Sequence, residues 1–248
     1  MKFFKDNYYR INELASQRRR RWNINENDAI DIFSLALNKL DNLTIAFIKM
    51  NNELSGACYC TEGQKIIFIN SAHSKGRQAF TLAHEIYHLE EEKTNFSICS
   101  VKNNDDEVEK TADLYASCLL MSHSALETFK LNNDIDKWTL DNVIKTEQYF
   151  QLSHHAMLWR IRNLDYINFD TYIIFKDSVK YNASIRGYDL RLYEPFSDKE
   201  NLVIGNYINL TEKAFKDDLI SIGKKEELLL DAYREDIVYA FDDDEEIY

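Results

Sequence analysis

The chain is expected to fold as a helix-rich α+β protein, and three observations carry that expectation. Six Gly and one Pro in 248 residues fall far below the usual share of roughly 12%, which favours long helices over tight turns. Several segments space their apolar residues at helical period. The clearest is 28–40, with Ile30, Ile32, Phe33, Leu35, Leu37 and Leu40. Beyond it, three short apolar runs at 43–50, 55–60 and 64–70 read as strands, the last two joined by a Glu62-Gly63 turn into a hairpin. Composition bounds function too. With 45% apolar and 29% charged residues the chain can bury a core. A net charge of −12 disfavours a general nucleic-acid binder, which needs clustered Lys and Arg. No run approaches the roughly 18 apolar residues of a membrane span, the start lacks a signal-peptide core, and four Cys make no disulfide framework. The expectation is a soluble cytoplasmic protein with reduced thiols.

Taken in order, residues 8–22 read as a helix whose last turn carries Arg18, Arg19, Arg20 and Arg21. Cations there suit the helix dipole, and they read as a solvated face rather than a nucleic-acid patch. Asn25 or Asn27 can cap the helix over 28–40, and the three strands follow. KGRQAFTLAHEIYHLEEEK reads as a helix starting near Gly76, and Glu107 to Leu120 as another. In 136–167, TLDNVIKTEQYF, the turn QLSH and HAMLWRIRNL have helix-turn-helix spacing. The remainder mixes strands (TYIIFK, NLVIGNYI) with helices at 211–220 and 224–240. The expected organisation is a catalytic core over 1–125, a helix-turn-helix-like helical unit over 126–167, and a mixed α/β region with an acidic tail over 168–248.

The sharpest chemical signal is His84-Glu85-Ile86-Tyr87-His88. Two His at i and i+4 share one helix face, so both imidazoles can reach one metal ion. Glu85 beside them can accept a proton from a metal-activated water. Catalytic zinc holds three protein groups and keeps one position open. The next helix offers Glu109 and Asp113, again at i and i+4. Glu109 is read as the third ligand. Asp113 is read as the acceptor that fixes the tautomer of a ligand His. Ala112 is small enough to let the two helices approach, and Glu107 is the weaker rival for the third ligand.

At these residues the sequence resembles the ImmA/IrrE family of zinc metallo-endopeptidases. RQAFTLAHEIYHL is followed by EVEKTADLYASCLLM, and Glu109, Ala112, Asp113, Ala116, Leu119 and Leu120 occupy the positions of the family's second helix. IIFIN resembles the strand before the family's active helix, and the unit ending in HAMLWRIRNLDYI resembles the module that follows the protease core in many members. Ser122 departs from the Pro usual after LLM. The resemblance implies a zincin-like core, a small antiparallel sheet with an HExxH helix and a Glu-bearing helix. It also implies one bound Zn2+ and, as substrate, a Cro/CI-like helix-turn-helix transcriptional repressor whose cleavage relieves repression of mobile elements, prophages or damage-response genes.

A peptide substrate must lie extended across the metal. Pairing with Ile66, Ile67, Phe68, Ile69 and Asn70, or with 56–61, would hold it there. His73, Arg77, Tyr87 and His123 are the candidate oxyanion donors. Cys58 and Cys60 alternate along one strand, which leaves a redox pair open, while Cys118 reads as core and Cys99 as a lone thiol. The helix-turn-helix unit balances Lys137, Lys145, Arg160 and Arg162 against Asp136, Asp141, Glu147 and Asp165, so it reads as a docking module, and DNA binding is disfavoured. The rival reading of the whole chain is a regulatory module binding DNA or an antitoxin-like partner, with a structural or vestigial zinc site. Residues 217–248 hold 12 acidic and 3 basic side chains, so the acidity is a C-terminal feature. It reads as a solvated tail or as a lure for a basic repressor.

Overall fold

The computed structural model describes residues 2–100 and 106–239. Helix α1 (Lys2–Arg21) and short α2 (Ile32–Lys39) lead into β1 (Leu43–Ile48), β2 (Leu54–Thr61) and β3 (Gln64–Asn70). Helix α3 (Lys75–Tyr87), β4 (Phe96–Ser100) and α4 (Glu107–Leu120) complete the part that bears the motif. The five-stranded sheet has the order β4-β2-β3-β1-β5, with β5 spanning Leu202–Gly205. It is mixed rather than purely antiparallel: β1 runs parallel to β3, and the other three pairings are antiparallel.

The reason is local. The β1–β2 connection does not close as a hairpin, because the buried Asn70 side chain stitches it over the end of β3. Asn70 Nδ2 donates to the Leu54 and Asn51 carbonyls at 2.8 and 3.0 Å, and Oδ1 accepts from Ala72 N–H at 3.1 Å. β3 therefore inserts between β1 and β2. Its apolar run IIFI, without polar alternation, suits a strand covered on both faces.

One face of the sheet (Ile45, Phe47, Cys58, Ile67, Ile69) carries α3, and α4 and α1 pack beyond it in one apolar core that runs from Phe4 to Ile167. The other face carries a small cluster of Ala46, Val203 and Ala232, joined by Phe68 and Tyr207. Close approach of β2 to α3 depends on Gly56. A methyl group there would sit 2.5 Å from Thr81 Cγ2 and 2.7 Å from the Phe68 carbonyl oxygen. Gly76 plays the same part at the start of α3, where a Cβ would lie 2.9 Å from Ser153 N.

Helices α5 (His123–Asn132), α6 (Leu140–Phe150) and α7 (His154–Asn163) follow. Ser122 caps α5. Its Oγ accepts from Ala125 N–H at 2.9 Å and its hydroxyl donates to the Glu26 carbonyl at 2.7 Å. TYIIFK is a helix, not a strand. It lies mostly within α8 (Phe169–Phe175), because Asn168 Oδ1 caps that helix at Thr171 N–H (2.8 Å), and cap chemistry overrides the β propensity of the two Ile. Helix α9 (Val179–Ser184) precedes β5. The strand expected over NLVIGNYI stops at Gly205, where Tyr207 N–H donates to Thr44 Oγ1 (3.0 Å) and the chain continues as α10 (Asn206–Lys216). Helices α11 (Ile222–Asp231) and α12 (Glu235–Val238) end the described part. The acidic tail at 242–246 lies outside the described residues.

The arginine run is not a solvated face throughout. Arg19 is fully buried and donates to the carbonyls of Leu119 (2.7 Å), Asn25 (2.9 Å) and Asp28. Arg18 is buried against Glu91 (2.7 Å) and Glu90 (3.1 Å), while Arg20 and Arg21 stay exposed. Helical period turns the middle of the run inward.

Candidate metal centre

Helix α3 buries Ala79, Leu82, Ala83 and Ile86 and thereby points His84 and His88 toward α4. Asp106 starts α4 by capping Val108 N–H at 2.8 Å, and buried Ala112 and Ala116 let the two helices close together. His84 Nε2 and His88 Nε2 then lie 3.1 Å apart. Glu109 Oε2 is 3.3 Å from the first and Oε1 is 3.4 Å from the second. The three donor atoms all lie within 4.8 Å of one another. Glu107 is exposed at the start of α4 and takes no part.

The outer nitrogens are held as well. Asp113 Oδ1 accepts from His84 Nδ1 at 2.9 Å and Glu92 Oε2 from His88 Nδ1 at 2.5 Å. Such partners orient ligand imidazoles and raise their basicity. After Tyr87 the helix widens into one π-helical turn, His88–Glu92, a distortion frequent at functional sites. Lys65 Nζ ties Glu90 from the sheet side at 2.6 Å, so the chain leaving His88 is clamped between β3 and α1.

The electrostatics favour a cation between these groups. Burial works against protonation of His84, but Cys99, Asp113 and Glu109 outweigh it and leave its pKa well above the ordinary value. His88 is raised too: burial opposes, and Glu109 and Glu92 prevail. Burial acts to raise Glu109, but hydrogen bonds from both His bring it down to about 2. Protons and a divalent ion compete for such donors, so a cluster that holds protons this tightly also suits a metal. Glu85 is fully buried, and neither carboxylate oxygen has a hydrogen-bond partner among the described residues. Burial raises its pKa against the pull of His84 and His88. A basic, unspent carboxylate beside the donors is what a general base requires. Two imidazoles, one carboxylate and an adjoining free carboxylate therefore fit a catalytic zinc ion, whose protein ligands number three.

The donors open into a cleft of about 800 Å³ lined by Phe3, Phe4, Trp159, Ser55 and Arg77 among others. Of the four expected oxyanion donors, Arg77 alone lines it, with Nη2 donating to Ser55 Oγ at 3.0 Å. His73 is buried, and burial together with Arg77 lowers its pKa to about 4. Tyr87 packs against Tyr115, and His123 bonds Tyr8 OH at 3.1 Å. None of these three lines the cleft. The expected pairing of substrate with Ile66–Asn70 finds no free edge, because β1 and β2 already occupy both sides of β3. Residues 56–61 are likewise enclosed between β3 and β4. The edge beside the site is β4.

Sequence reasoning missed Glu92, Cys99 and His155. Glu92 was legible as i+4 from His88. His155, at the start of α7, lines the cleft, and only the docking of α7 brings it there. Cys58, by contrast, is fully buried beside Glu85, and burial and that carboxylate push its thiol up.

The fold and this donor set together define a metallopeptidase. Residues 40–162, about half of the chain, match the family model of the IrrE N-terminal-like domain, Peptidase M78, and through them the chain belongs to that family. No curated protein matches the chain. Among the described residues no helix is long and apolar enough to cross a membrane.

Proposed function

We propose that this protein is a zinc-dependent endopeptidase that cleaves one peptide bond in a partner protein, a helix-turn-helix transcriptional repressor. The observation that carries the chemistry is the convergence of His84, His88 and Glu109 within 4.8 Å beside the buried Glu85, whose carboxylate oxygens have no hydrogen-bond partner among the described residues. The repressor as substrate rests on the family resemblance. A zinc ion held there supplies Lewis acidity to the scissile carbonyl and brings the pKa of water toward about 7. Glu85 takes the proton of the attacking water and hands it to the leaving amide nitrogen. Arg77 and His155, which both line the cleft, donate to the developing oxyanion. The substrate backbone adds to the outer edge of β4. Asp113 and Glu92 hold the two imidazoles in the tautomer that leaves Nε2 free for the metal.

The reading is tested with the full chain and a Cro/CI-like helix-turn-helix repressor as substrate. The expected result is one new cleavage, dependent on zinc, from wild type and none from Glu85→Gln. Purified protein that takes up no stoichiometric zinc, or a Glu85→Gln protein that still cleaves, refutes it.

A further inference from the structure

The arginine run that ends α1 holds a group that the peptidase reading does not use. Arg18 is buried, and its guanidinium bridges two neighbouring carboxylates of the π-helical turn His88–Glu92. Nε and Nη2 donate to Glu91 Oε1 at 3.0 and 2.7 Å, and Nη1 donates to Glu90 Oε2 at 3.1 Å. Lys65 Nζ on β3 donates to the other oxygen of Glu90 at 2.6 Å. Tyr115 OH on α4 donates to Glu91 Oε1 at 3.3 Å. Just past α1, the Trp22 ring lies 5.7 Å from the Arg18 guanidinium carbon. Three elements, α1, β3 and α4, therefore grip the one turn that carries His88.

That turn needs such a grip. π-helical turns are rare. This one ends at Lys93 in the left-handed region, at φ 61°, which residues with a Cβ seldom adopt. Strain of this kind persists only where the surroundings over-determine the backbone. The N–H groups of Lys93 and Thr94 both return to the His88 carbonyl, so the shape of the turn and the backbone of His88 are coupled. Glu92 belongs to the same turn. It is exposed, yet its Oε2 accepts from His88 Nδ1 at 2.5 Å. Holding an exposed Glu in one rotamer costs entropy, so this bond depends on where the turn places its backbone. Glu90 and Glu91, next to Glu92, are the handles by which the fold sets that backbone.

We propose that Arg18 is a positioning residue of the metal centre. It clasps Glu90 and Glu91 and thereby fixes the π-turn. The turn sets Glu92 on His88 Nδ1, and Glu92 keeps His88 Nε2 aimed at His84 and Glu109. Arg18 does not line the cleft, and its guanidinium hydrogen bonds all go to the turn. Its removal leaves two adjacent, largely buried carboxylates with Lys65 as their remaining cation among the described residues, and like charges so placed repel. Arg20, two residues on, pairs at the surface with Glu13 and Glu26, so the run supplies its own control. This inference rests on the metal-centre reading.

The test measures the zinc dissociation constant of the full-length protein by competition with a chromogenic chelator at one pH, with folding followed by circular dichroism. Arg18→Met is expected to stay folded and to weaken zinc binding by about 10-fold, the lower end of the range for partners that orient a ligand imidazole. Glu92→Ala weakens it by roughly 10–100-fold. Arg18→Lys recovers part of the loss, because a point charge cannot clasp both carboxylates, and Arg20→Met changes nothing. Since Arg18 acts through Glu92, the double variant of Arg18→Met and Glu92→Ala binds zinc no more weakly than Glu92→Ala alone. A merely structural arginine gives a lowered melting temperature with an unchanged dissociation constant. That result, or losses that simply add in the double variant, overturns the proposal and leaves the three-ligand centre standing. If Arg18→Met does not fold, Glu91→Gln carries the test, since it keeps the side chain's shape and loosens the same clasp. Weakened zinc binding there supports the proposal, and an unchanged dissociation constant overturns it. Wild type that binds no zinc overturns the metal centre itself, and this inference with it.

Discussion

Among the described residues, two buried histidine–carboxylate clusters differ in how much of their donor capacity is used. In the closed cluster, His154 Nδ1 donates to Glu147 Oε2 at 2.7 Å, its Nε2 lies 2.8 Å from the Phe175 carbonyl, and Glu147 Oε1 accepts from Tyr193 OH at 2.6 Å. Both nitrogens and both oxygens are spent. At the candidate metal centre the outer nitrogens of His84 and His88 are spent in the same way, on Asp113 and Glu92. Their inner nitrogens instead converge on each other and on Glu109, and the Glu85 carboxylate oxygens beside them have no hydrogen-bond partner among the described residues. A buried His-carboxylate pair is therefore no signature by itself. What distinguishes a site is donor capacity left over and aimed at one point.

The largest effect that can break this contrast is on catalysis. Glu85→Gln is expected to reduce cleavage by on the order of 10³-fold or more, within the range for a general acid–base group. Bound zinc, counted by atomic absorption, stays at one per chain. Loss of zinc together with activity would make Glu85 part of the metal site instead. In the closed cluster, Glu147→Ala leaves His154 and Tyr193 without their partner. It should lower stability by about 3–5 kcal/mol, read from the urea midpoint, with zinc content unchanged. A smaller loss would mean that water replaces the carboxylate. Metal should separate the clusters further. Zinc at 1,000 times its dissociation constant adds about 4 kcal/mol of stability, seen as a raised melting temperature. That increment should vanish in His88→Ala and survive in His154→Gln. Gly56→Ala, with its methyl 2.5 Å from Thr81 Cγ2, should cost about 1–3 kcal/mol by overpacking and disturb the seat of Glu85.

The smallest effect is a pH slope. Burial opposes protonation of His154, but Glu147 outweighs it and raises the pKa above the ordinary value. A group raised in the folded state contributes fully below its unfolded pKa and loses that contribution as pH rises through the folded one. The stability advantage of wild type over His154→Gln should therefore be greatest below about pH 6.5 and shrink toward alkaline pH. A flat difference would mean that His154 is neutral in the folded protein.

The two clusters also differ in how far the sequence disclosed them. His84, Glu85, His88, Glu109 and Asp113 are spaced by helical period, and that period fixes relative directions before any tertiary contact forms. The closed cluster joins Glu147 and His154 across a turn to Tyr193, and no local period connects those positions. The same limit explains Arg160, which the sequence counts only among the balanced charges of the helix-turn-helix unit. It is fully buried, donating to the Ser117 carbonyl (2.7 Å) and to Tyr8 OH (2.8 Å). Sheet order was hidden for a related reason. Three runs read as strands, but the insertion of β3 depends on the hydrogen bonds of the Asn70 side chain, which no propensity encodes. β4 is short and follows a charged turn, so Cys99 read as a lone thiol until the register placed it opposite Gly56.

The contact at Gly76 has a mechanical meaning. A methyl group would not fit between the first turn of α3 and the turn that starts α7, with Ser153 N only 2.9 Å from the missing Cβ. The two helix starts meet backbone to backbone, with no side-chain layer between them at this point. Trp159 and His155, both on α7, face the cleft, while His84 sits two turns along α3. A ligand seated against either cleft residue therefore touches a helix whose first turn abuts the first turn of the helix that carries His84, with backbone against backbone at the joint.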